Sequence, residues 1–205
     1  MDLQALKKFC DIHKRQELWS FVESCIFRYW AALYHLSNIR DKLERAREDG
    51  RSRIEDVLKL EKELLFEVDA LMLSLNSMFA IVAQVINEGL LVEKLHVTDV
   101  DLKEVSTSGD LPADLREELR LMMGDTFYQR ITCYSNTSKH IRAVRGQLSI
   151  DFRPETPEAD YKINEFRLKQ PLRLDYDKIE ACWRFASGKI ERLLELVDVT
   201  LRSRG

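Results

Sequence analysis

At 205 residues, 45% hydrophobic and 33% charged, with seven glycines and four prolines, the chain can bury one self-sufficient core and has too few turn formers for a turn-rich sandwich or barrel. Global disorder is excluded by the same composition. A formal net charge of −3 excludes an overall basic field, so any contact with nucleic acid has to be local.

The opening Met1-Asp2-Leu3-Gln4 carries an acid and no apolar h-region, which is not a secretory signal. A short helix is expected over residues 3–13. Over residues 16–48, Leu18, Phe21, Val22, Cys25, Ile26, Tyr29, Trp30, Leu33, Leu36 and Leu43 recur largely at three- and four-residue intervals, predicting a helix with an apolar stripe wider than a coiled-coil seam. Arg45 and Arg47 fall where cations offset a helix dipole, and Gly50 where a left-handed residue would end the helix.

Ser52-Arg53-Ile54-Glu55 has the pattern of a capping box and restarts a helix. Its stripe runs through Ile54, Leu64, Val68, Leu71, Leu75, Phe79, Val82 and Ile86 and stops near Gly89. At 1.5 Å per residue the two helices are roughly 50 and 55 Å long, which predicts a long antiparallel hairpin as scaffold. The apolar run 71–86 is interrupted by Ser74, Asn76, Ser77 and Gln84 and falls short of the ~20 residues of a membrane span. It reads as a buried central helix in which Asn76 and Gln84 need partners on neighbouring helices, and no membrane association is expected.

Periodicity fails over 91–110, where Ser106-Thr107-Ser108-Gly109 suggests a loop. Pro112, followed by Asp114, Glu117 and Glu118, starts a short helix that Gly124 breaks, and Asp125 can cap the next. That next helix is expected over 126–145, with Gly146 just beyond its end. Alternation of Leu148, Ile150 and Phe152, then of Tyr161, Ile163, Phe166 and Leu168, predicts an extended arm or hairpin within 147–174 whose apolar residues look exposed. Asp177, with Glu180 reaching back, is the expected cap of a last helix ending near 202. The fold class is therefore all-α: a single domain over 1–205, a bundle of long antiparallel helices with a small extended arm before the last helix.

Cys10, Cys25, Cys133 and Cys182 lack CxxC spacing and read as buried free thiols of a reducing compartment, with the cytoplasm as the expected location. His13, His35, His96 and His140 are dispersed, and no grouping has metal-site spacing; neither a metal nor a cofactor is expected.

One stretch stands apart: Ser135-Asn136-Thr137-Ser138-Lys139-His140. Residues four apart share a helix face, so Asn136 and His140 project together with Lys139 beside them. The stretch resembles the Arg-Asn-x-x-Lys-His signature of the HEPN family of helical-bundle proteins, and residues 68–87 resemble that family's central helix, so the likeness covers about half the chain. The resemblance implies a homodimer in which His140 and Asn136 are catalytic and Lys139, Arg142 and Arg145 bind RNA. It also implies a metal-independent ribonuclease or RNA-binding protein in a toxin-antitoxin, antiphage defence or other RNA-directed setting, with an antitoxin or another protein as partner. In such a site an arginine clamps phosphate while histidine, titrating near neutrality, moves protons.

Ser135 occupies the arginine position here and cannot supply that charge, which argues against robust cleavage. Arg142 and Arg145 are the nearest alternative cations, although last-turn cations also simply complement a helix dipole. Arg130 stands ten residues before His140, roughly 15 Å along a helix, and reads as solvated. Arg28 and His35 share the motif spacing but read as structural. The competing reading is a noncatalytic helical protein–protein interaction module that uses an exposed helix face or the 147–174 arm.

Overall fold

The computed structural model describes residues 3–48, 54–140, 145–151, 158–167 and 171–204, without the side chains of 3, 5, 54, 55, 139, 140, 145, 164–167 and 171–173. In chain order these form α1 (Leu3–Ile12), α2 (Gln16–Glu48), α3 (Ile54–Leu90), α4 (Leu102–Ser106), α5 (Ala113–Gly124), α6 (Thr126–His140), β1 (Arg145–Asp151), β2 (Glu158–Arg167), β3 (Pro171–Leu174) and α7 (Tyr176–Arg204). The all-α class and the long paired helices are as expected. The Gly50 stop and the Ser52–Glu55 capping box lie outside the described residues.

On α2 the buried residues are Leu18, Val22, Cys25, Ala32, Leu36, Ile39, Leu43 and Ala46. With half-buried Tyr29 they alternate in steps of four and three, the period of a coiled-coil seam. The wide stripe expected there is therefore corrected: Phe21, Ile26 and Leu33 are only half-buried, and Trp30 is exposed. On α3 the seam residues Leu64, Val68, Leu71, Leu75, Met78, Val82 and Val85 are joined by Met72, Phe79, Ala83 and Ile86, all buried. This broad arc makes the middle of α3 the buried helix its composition predicts. By length and composition alone Asp56–Leu90 also satisfies the requirement for a membrane span, and burial of this arc accounts for its apolarity.

Backbone contacts divide the chain into two compact units, to each of which α2, α3 and α7 contribute a stretch. The first comprises Met1–Tyr29, Leu75–Gln129 and Phe185–Gly205. There Leu18, Val197 and Leu201 close on Gly89 of α3. The last four carbonyls of a helix lack helical partners, and at the end of α3 all four receive cations. Lys94 Nζ donates to the carbonyls of Asn87 and Glu88, Arg15 to Gly89 (3.0 Å) and Arg204 to Leu90 (2.8 Å). The buried Asn87 amide exchanges hydrogen bonds with the backbone of Leu95, and Gln84 donates to the carbonyl of Val97. Gln84 thus finds its partner in the following loop rather than on a neighbouring helix.

Charge-assisted bonds to such carbonyls support a prediction: Arg204→Ala lowers stability by about 1–3 kcal/mol in urea unfolding. An unchanged midpoint would mean that water replaces the guanidinium without loss.

The stretch 91–110 also contains α4, capped by Asp101 Oδ1, which accepts from Glu104 N at 2.7 Å; its two buried residues, Leu102 and Val105, are too few to show a period. Asp125 caps α6 as expected, accepting from Phe127 N at 2.7 Å.

The second unit comprises Trp30–Ser74 and Arg130–Arg184. Glu67 on α3 accepts from His35 (2.7 Å) and Asn38 (3.2 Å) on α2, while Lys42 lies 3.5 Å from Glu67 and 3.7 Å from Glu63. Partner numbers fall along α3 as they rise along α2, the antiparallel pairing that the sequence predicts. Burial alone would raise the Glu67 carboxyl, but hydrogen bonds from His35 and Asn38 and the charge of Lys42 outweigh it and hold the group below its ordinary value. A depressed carboxyl stabilises the fold above its unfolded pKa, and this contribution is lost as pH falls through the folded one. Glu67→Gln should therefore lower the melting temperature at pH 7, and the difference from the parent should shrink in acid. A difference constant with pH would remove the charge from the account.

The arm is a three-stranded antiparallel sheet in the order β1-β2-β3, in which Gly146 pairs with Ile163 and Leu148 with Tyr161. Two expectations are corrected. The helix expected to 145 is described only to His140, and Arg145 and Gly146 already belong to β1. Among the described residues the arm's apolar side chains are not exposed either: Leu148, Ala159, Tyr161, Ile163 and Leu174 are buried and Ile150 is half-buried, while the side chains of Phe152, Phe166 and Leu168 lie outside the description. Glu61 of α3 accepts from the Leu148 N–H (3.0 Å), covering a donor of an edge strand, and Arg47 of α2 donates to the Ala159 carbonyl (3.5 Å). Asp175 rather than Asp177 caps α7, accepting from Lys178 N at 3.0 Å; Asp177 falls in the first turn.

Cys10, Cys25 and Cys182 are buried and Cys133 half-buried, all four as free thiols. Burial pushes the Cys25 thiol up to about 12.

Candidate functional site

The motif helix α6 is fastened by its inner face. Ser138 Oγ donates to Asp69 of α3, and one turn earlier the buried Tyr134 faces the same carboxylate. Burial, the Asp69 charge and the hydrogen bond to it raise the Tyr134 hydroxyl, which stays protonated. Ser135 is 0% exposed and Thr137 2%, whereas Asn136 is exposed. The position that holds arginine in the HEPN signature thus faces the interior, and the Ser135 hydroxyl has no hydrogen-bond partner among the described residues. Lys139 and His140 lie in the last turn of α6 and Arg145 in β1, with their side chains outside the description; Arg142 lies outside it entirely.

His35 is taken up by Glu67, and Arg28 lies 5.9 Å from the Phe27 ring, in keeping with structural roles. Arg130 is half-buried, with a buried Nε, rather than solvated.

A different surface stands out on α2. Phe27 is 67% exposed, Trp30 61% and Tyr34 64%. Steps of three and four residues place them on one face, and the buried seam defines that face as the outer one. An ordinary solvated helix carries charge there. Beside Phe27 runs a groove of about 590 Å³ whose walls include Phe21, Ser24, Ala80 and Ile81. Sequence reasoning missed this face because it counted Trp30 in the buried stripe and passed over Phe27 and Tyr34. The signal was present in the strict four-three seam, which leaves all three aromatics out of phase.

Three exposed aromatics on one helix can supply rigid, desolvating contact area. Comparison of the chain with protein-family models, with curated proteins and with solved structures finds no match.

Proposed function

We propose that this chain is a noncatalytic helical interaction module that binds a protein through the outer face of α2. The observation that carries the reading is the exposure of Phe27, Trp30 and Tyr34 on one helix face. Aromatic residues are enriched at interfaces and at their energetic centres, and contiguous exposed apolar surface marks contact sites. The test is a photo-crosslinking side chain at position 30, with position 191, exposed on α7, as control. A discrete protein adduct at 30 and none at 191 supports the module; no adduct, or equal labelling at both, removes it.

The second reading is a HEPN-like RNA-binding protein with weak or absent cleavage, acting in a toxin-antitoxin or defence setting. The exposure of Asn136 on the helix that carries His140 favours it. It ranks second because Ser135 brings no charge and is buried. RNA binding by the purified chain, lost in both Asn136→Ala and His140→Ala, would reverse the order.

A further inference from the structure

We draw no further inference here: the strongest candidate, the groove of about 590 Å³ beside Phe27 with walls from Phe21, Ser24, Ala80 and Ile81, is an unpartnered surface, and nothing in the structure shows what covers it.

Discussion

Replacing Gly146 by alanine is expected to destabilise the protein by about 3 kcal/mol or more. Gly146 sits in β1 opposite Ile163, and the ring of Tyr161, paired with Leu148 two residues along, leans diagonally across the place a Cβ would take. A Cβ there would stand 2.9 Å from Tyr161 Cε2, with Cζ and Oη closer still. Tyr161 is 0% exposed, so its ring cannot swing into solvent. Aromatic covering of an edge-strand glycine fixes strand register, and here it makes glycine a steric requirement.

The cost should be coupled. Tyr161→Ala in the Gly146→Ala background should recover part of the loss, giving a favourable interaction term in a double-mutant cycle. The Tyr161 hydroxyl lacks a hydrogen-bond partner among the described residues, so Tyr161→Phe should be near neutral. Additive effects of the two alanine changes in urea unfolding would show that the clash is relieved elsewhere.

The second large effect is expected at Ser135. Ser135→Arg would complete the resemblance to the HEPN signature, and the simple expectation from that resemblance is cleavage. Burial predicts the opposite. The side chain at 135 is fully enclosed, and a guanidinium forced there without a partner costs several kcal/mol. Loss of the cooperative melt, with no RNA cleavage gained, is the expected outcome. A well-folded Ser135→Arg protein that cuts RNA would overturn this account of α6 and restore the nuclease reading.

Much of the fold is legible because its signals are local. The 16–48 helix coincides with α2, since a long apolar period and flanking polar residues suffice to define it. Asp125 as a cap is equally local. What escapes the sequence is decided by distant residues. Gly146 reads as a helix stop until Tyr161, fifteen residues on, claims it for a strand. Asp175 and Asp177 both have the chemistry of a cap, and only the register of α7 chooses between them. The cations that close α3 come from positions 15, 94 and 204, a grouping no window along the chain contains.

For the candidate sites the division is similar. The composition of the 135–140 stretch is visible in the sequence, but the inward direction of Ser135 depends on how α6 is fastened to Asp69. The aromatics of α2 are likewise visible, yet their exposure follows only from the narrow seam opposite them.

Hydroxyl-radical footprinting of the intact chain tests most directly whether the outer face of α2 is left open by its own chain. Oxidation of Phe27, Trp30 and Tyr34 well above that of buried Tyr134 and Tyr161 is the predicted result. Protection of all three aromatics to the level of the two buried tyrosines would contradict it.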